Sequence, residues 1–251
     1  FNKPPCLRIS QQRPPAPLRS PARKVVRFAI FPTQDNPRIS QHLQNPSNPR
    51  TPPTPNPPLP MVRTLSNMLE LGAQAPAFTL PDVNGGAYAF PGSAPSPKGS
   101  LILFICNHCP FVKHVDAELR ALAADYLPQG IEIIAISSND VEHYPDDSPE
   151  KMAELALPFP YLYDESQQVA KDYKAACTPD VYLFDADRKL VYRGQIDDSR
   201  PKTDIPVTGR DLRAALDALL AGRPVDPDQR PSVGCNIKWK PGNEPEWFGG
   251  A

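Results

Sequence analysis

Acidic residues are almost missing from the first sixty positions. Asp35 is the one acid there, against nine Lys or Arg, so a net charge of −1 over 251 residues conceals a basic leader and an acidic remainder. Aromatic residues are equally scarce in that stretch (Phe1, Phe28 and Phe31), which removes the stacking platforms that single-stranded nucleic acid requires. No nucleic-acid partner is expected. Nowhere does an apolar run approach the roughly 18–20 residues of a membrane-crossing helix, so no membrane partner is expected either. Cysteine is also sparse. Five residues, an odd number spread over the whole chain, do not make the disulfide framework of a small secreted domain.

Proline, by contrast, is abundant, and 16 of its 35 copies fall within residues 1–60. At that density it removes amide donors and forbids helix, and too few apolar side chains remain to offset the ordering entropy. Residues 1–60 are therefore expected to be a disordered leader. Met61 stands immediately ahead of patterned sequence, which favours reading the leader as an upstream extension with a cytoplasmic protein behind it. An Arg-rich, acid-poor leader would also fit an organelle-targeting peptide, for a chloroplast or mitochondrion. Residues 61–251 are expected to form one domain, including a tail, 224–251, that lies against it because it carries Cys235, Trp239 and Trp247.

Patterning begins at Leu71. Residues 75–80 and 87–90 read as strands joined by the turn Asn84-Gly85-Gly86. Residues 101–106 and 130–138 are near-continuous apolar strands of the kind found inside a sheet covered on both faces. Between them Val112, Val115, Leu119, Leu122 and Tyr126 recur at helical spacing. A helix is expected from Ser148 with Pro149 at its first position. Another should be capped by Asp164 with Gln167, and a last one should begin at Thr208 with Asp211 and stop at Gly222. Residues 181–184 and 189–193 are too close to pair other than antiparallel. The order specifies an α/β protein of thioredoxin fold: a central mixed sheet flanked by helices, with an N-terminal β-hairpin and a C-terminal extension.

The stretch that carries chemistry is LILFICNHCPFVKHV, residues 101–115. A strand delivers Cys106 to a turn, and Cys109 and Pro110 open the helix that follows. Amides without partners and the positive end of the macrodipole at such a junction favour a thiolate, the species that attacks a disulfide. Cys106 is thus expected to attack and Cys109, one turn into the helix, to resolve. His108, in its cationic form, is expected to steady the Cys106 thiolate. Cys177 reads as a packed thiol or a third sulfur. Cys235 reads as a distant resolving thiol or a side chain packed under Trp239. A reading from another class makes Cys106 and Cys109, with Cys177, His108 or His114, ligands of zinc or copper, although without a second Cys-x-x-Cys the spacing is not that of a zinc ribbon. Asp140, Asp146, Asp147, Asp197 and Asp198 are expected to be solvated loop charges, and Arg193 and Arg200 are candidate contacts for an anionic substrate.

Residues 71–240 resemble the thioredoxin-like redoxins, and in particular their peroxiredoxin-like branch. The resemblance rests on LGAQAPAFTLPDVNG (71–85), FICNHCPFVKH (104–114), AISSNDVEHYPDDSPE (135–150), ACTPDVYLFD (176–185) and PSVGCNIKWKPGNEP (231–245). It implies a redox pair at Cys106 and Cys109, a cis-proline at Pro179, and a backbone edge at Thr178 that faces bound substrate. It further implies thiol–disulfide exchange with a disulfide- or dithiol-containing protein, or with glutathione, by a monomer or weak dimer, without a cofactor. Peroxiredoxins proper carry Pro-x-x-x-Thr-x-x-Cys. Here Ile102 and Cys106 occupy the proline and threonine positions, so the hydroxyl that would hold a peroxide beside Cys109 is absent.

Overall fold

The structure is a computed structural model that describes residues 63–92 and 97–248. The expected disordered leader lies outside the described residues. The central sheet has five strands in the order β6-β5-β4-β8-β9. In chain order these are β4 (Gly99–Phe104), β5 (Ile131–Ser137), β6 (Tyr161–Tyr163), β8 (Asp180–Asp185) and β9 (Leu190–Arg193). β4, β5 and β6 run parallel, while β8 and β9 are antiparallel additions at the other side. A hairpin of β2 (Phe78–Pro81) and β3 (Ala87–Phe90) precedes the sheet. Its turn works because Gly85 and Gly86 take φ of 110° and 84°, where a side chain would be strained.

Every residue of β4 is buried, and period-2 alternation divides its side chains between two cores. Leu101, Leu103 and Ile105 meet α1 (Pro110–Tyr126), α2 (Pro149–Glu154) and α4 (Arg210–Leu220). Ile102 and Phe104 meet α3 (Gln168–Asp172), the hairpin and Trp239, in a layer where the rings of Phe78, Phe104, Tyr173, Tyr182 and Phe184 contact one another. Burial of each such side chain contributes about 1.5–3 kcal/mol. α1 carries Val112, Val115, Leu119, Leu122 and Tyr126 on its buried face, as their spacing predicts. It stops where Pro128 enters a 3₁₀ turn and Gly130 turns left-handed at φ 93°. Together these elements form a thioredoxin-like α/β fold.

Two helix starts differ from expectation. α3 begins at Gln168, because the Gln167 amide donates to the Ser138 and Lys238 carbonyls instead of capping, while Asp164 accepts from the Ala170 amide. α4 begins at Arg210 behind Gly209, whose amide and that of Thr208 both donate to Asp197. The tail supplies a further strand. Its strand β10 (Val233–Asn236) joins β1 (Arg63–Leu65) and β7 (Cys177–Thr178) in a separate antiparallel sheet of order β1-β10-β7.

Candidate functional site

β4 ends at Phe104, two residues before Cys106, and Pro110 at the first helical position fixes the start of α1, which makes Cys109 its N-cap residue. This differs from the sequence reading, which put Cys106 at the helix mouth and Cys109 one turn inside. The positive end of the helix falls on Cys109. Both sulfurs are sealed, at 1 % and 0 % exposure. Each sulfur perturbs the other, and their pKa values move in opposite directions. Hydrogen bonds from Cys106 and Cys235, with help from the Val112 amide, hold the Cys109 pKa far below the ordinary thiol value. Burial, the Cys109 contact and the nearby Asp147 charge push Cys106 well above it.

Facing the pair, the Thr178–Pro179 peptide is cis. The Thr178 hydroxyl lies 3.5 Å from Cys106 Sγ, and the Thr178 carbonyl lies 3.2 Å from Cys109 Sγ, where a protonated Cys109 donates to it. The backbone edge expected to meet substrate is not open, however. β10 pairs with it in a register that sets Cys235 opposite Thr178 and Asn236 opposite Cys177. The approach is so close that a Cβ on Gly234 would lie 2.0 Å from the Thr178 carbonyl oxygen, so only glycine fits. A substrate strand therefore reaches that edge only if β10 leaves it.

The loop between the sulfurs is clamped by Asp147, which is fully buried where solvation was expected. One carboxylate oxygen accepts from the Asn107 and His108 amides at 2.8 and 3.1 Å. The other accepts from His108 Nδ1 at 2.6 Å and Asn139 Nδ2 at 2.8 Å. Burial opposes ionisation of Asp147, but the His108 and Asn139 hydrogen bonds outweigh it and leave the carboxyl below its usual range. This arrangement corrects the role expected of His108. Its Nδ1 is 3.9 Å from Cys106 Sγ but much closer to Asp147, so the pair offers Cys106 no net positive charge. Its ring stacks on Tyr144, with centroids 5.4 Å apart.

The buried cation near the sulfurs is Lys238, which sequence reasoning passed over. It is 3 % exposed, bonds Asn236 Oδ1 at 2.6 Å and lies 5.6 Å from the Tyr144 ring centre. Burial lowers its pKa, while the charges of Cys235, Cys106, Cys109 and Asp147 oppose that. The one hint was its place in GCNIKW, two residues past a strand that the sequence leaves without periodicity.

Other candidates disperse. His114 Nε2 contacts Ser199 Oγ at 2.7 Å, and Cys177 Sγ bonds the Pro179 carbonyl at 3.5 Å, its pKa raised by burial, so neither joins the pair as a ligand. Cys106, His108 and Asp147 bring ligand atoms within 4.8 Å of one another, yet both Asp147 oxygens and His108 Nδ1 are already committed to internal hydrogen bonds. Asp140 and Asp197 are also buried, accepting from His143 and from the 208–209 amides. Arg193 and Arg200 spend their guanidinium groups on Leu69, Gln229, Asp197, Ser199 and Gln195 rather than facing a substrate.

Residues 71–193 match the model of the AhpC/TSA family. An uncharacterized conserved protein of Geobacillus kaustophilus is 59 % identical, covering 73 % of this chain and 99 % of its own, with a TM-score of 0.70. A hypothetical protein of Sinorhizobium meliloti is 47 % identical over 71 % of this chain and all of its own, with a TM-score of 0.69. Comparison with proteins of curated function returned no match. With two thiols at the mouth of α1 and a cis-proline facing them, residues 71–193 form an AhpC/TSA-family region on a thioredoxin-like fold.

Proposed function

We propose that this chain is a thiol–disulfide oxidoreductase that cycles between a Cys106/Cys109 dithiol and the corresponding disulfide, with a dithiol or disulfide protein, or glutathione, as its redox partner. The observation that carries the reading is the placement of both sulfurs at the start of α1 within 3.5 Å of Thr178, whose peptide to Pro179 is cis. Loss of the Cys106 proton generates the attacking thiolate, with the Thr178 hydroxyl 3.5 Å from its sulfur. A thiolate of higher pKa is the stronger nucleophile, which suits Cys106 to attack. Cys106 forms the mixed disulfide and expels one substrate thiolate. Cys109, already favoured as an anion, then attacks the Cys106 sulfur and releases the second. Two electrons pass from the dithiol to the substrate.

Redox titration against glutathione, with alkylation and peptide mass mapping, tests this. The expected result is a two-electron couple between Cys106 and Cys109 that disappears in Cys106→Ser and in Cys109→Ser. Failure to form that disulfide at any glutathione ratio overturns the reading. A potential near the cytosolic poise of roughly −220 to −260 mV marks a reductase, and one near roughly −120 mV an oxidant. The low pKa of Cys109, which stands where peroxiredoxins carry their peroxide-reactive cysteine, favours a second reading as a thiol peroxidase. Stopped-flow oxidation by hydrogen peroxide no faster than that of a simple thiolate would exclude it.

A further inference from the structure

The dithiol of the proposed exchange reaction is not alone. Cys106, Cys109 and Cys235 share one buried cluster. Cys235 is the register partner of Thr178, and directly paired residues of an antiparallel ladder direct their side chains to the same face. Thr178 uses that face to reach Cys106, with its hydroxyl 3.5 Å from Cys106 Sγ. Its carbonyl binds Cys109. Cys235 is thereby delivered to the sulfurs by the pairing of β10 itself, and Cys109 and Cys235 shift each other's pKa in opposite directions. The glycine that permits the close approach, Gly234, is its immediate neighbour. In effect β10 lies along the cis-proline edge as an added strand, with Cys235 opposite Thr178.

We propose that Cys235 is a third redox-active sulfur, which takes Cys109 out of the Cys106–Cys109 disulfide and returns Cys106 to the thiolate state. The inference rests on the exchange reaction proposed above. In the step, the Cys235 thiolate attacks Cys109 Sγ. A Cys109–Cys235 bond forms, the Cys106–Cys109 bond breaks, and its electron pair leaves on Cys106. The proton of Cys235 passes to Cys106 or to water. No electrons enter or leave the protein, so the step needs no external oxidant. The buried Lys238 ammonium, beside Asn236 on the same segment, favours the anionic forms on both sides of the exchange. The protein therefore has two oxidised forms of equal electron count, one with Cys106 blocked and one with Cys106 available.

Disulfide mapping of the wild-type chain poised in glutathione buffer, quenched by acid and alkylated, gives the first test. The expected result is two populations, Cys106–Cys109 and Cys109–Cys235. Finding Cys106–Cys109 alone overturns this inference and leaves the exchange reaction standing, whereas finding neither overturns both. As a second test, Cys106→Ser is treated with diamide, an oxidant of dithiols. It is expected to lose two alkylatable thiols and yield a peptide joining Cys109 to Cys235, and Cys106→Ser/Cys235→Ser is not. Retention of both thiols in Cys106→Ser, or linkage of Cys109 to Cys177 instead, refutes the proposal.

Discussion

Asp147→Asn removes one atom's worth of acceptor from the clamp that shapes the loop between the sulfurs. The carboxamide oxygen can keep the Asn107 and His108 amides, but its amino group replaces the oxygen that accepts from His108 Nδ1 and Asn139 Nδ2. Two donors would then face each other at Asn139. That residue cannot flip to relieve them, because its own oxygen accepts from the Lys238 amide at 2.8 Å. His108 can turn Nδ1 into an acceptor only by carrying its proton on Nε2, which is buried without a partner. With two buried polar groups unsatisfied at about 1–3 kcal/mol each, the variant should lose about 2–6 kcal/mol of stability. For a folded region of this size that corresponds to a Tm lower by roughly 4–24 °C. Because the Asp147 charge helps raise the Cys106 pKa, neutralising it should also move the thiol titration to lower pH. Thermal melts of the reduced protein and thiolate absorbance against pH measure the two effects. A Tm within replicate scatter together with an unchanged titration would refute the clamp.

Other predictions follow from packing and burial. Gly234→Ala, whose Cβ would meet the Thr178 carbonyl oxygen, should detach β10 and make Cys109 and Cys235 alkylate many times faster in the folded protein; unaltered alkylation rates would show that the strand tolerates a side chain. Asp180 is fully buried, and burial raises its pKa to about 7. The folded state therefore holds a proton that the unfolded state releases near pH 3.9, so this group's contribution is fully present below about pH 4, falls as pH rises, and is lost above about pH 7, a change of up to ~4 kcal/mol. Melts of wild type and Asp180→Asn across that range should diverge in favour of the variant as pH rises, and parallel curves would count against the assignment. Leu119→Ala, on the buried face of α1, should cost about 2–5 kcal/mol in denaturant unfolding without moving the glutathione couple.

Local pattern explains what was readable in the sequence. The buried stripe of α1, the two apolar strands and the Asn-Gly-Gly turn each announce themselves within about a dozen residues, through spacing that one element alone enforces. The two sulfurs were legible for the same reason. Asp147 was not, because a carboxylate in a polar loop looks solvated until its four donors, from Asn107, His108 and Asn139, are seen around it. The starts of α3 and α4 failed differently: the 138 and 238 carbonyls claim the Gln167 amide, whereas the Thr208 hydroxyl does accept from the Arg210 amide, but from one residue ahead of the Gly209 cap. Which sulfur stands at the helix mouth turned on a shift of three residues, set by Pro110. The pairing of β10 with β7 had no local signature, since its register joins Asn236 to Cys177, 59 positions apart in sequence.

That same pairing imposes an order on biogenesis. A chain still being synthesised can close the central sheet from residues 99–193, yet the strand that roofs the sulfurs arrives only with residues 233–236. Until then Cys106 and Cys109 stand beside an open ladder edge, the kind of surface that invites pairing with another chain. Late, long-range strand pairing is also intrinsically slow. A nascent or C-terminally clipped molecule would thus be more open to stray thiols than the finished one, so the last strand to fold governs when this protein becomes selective.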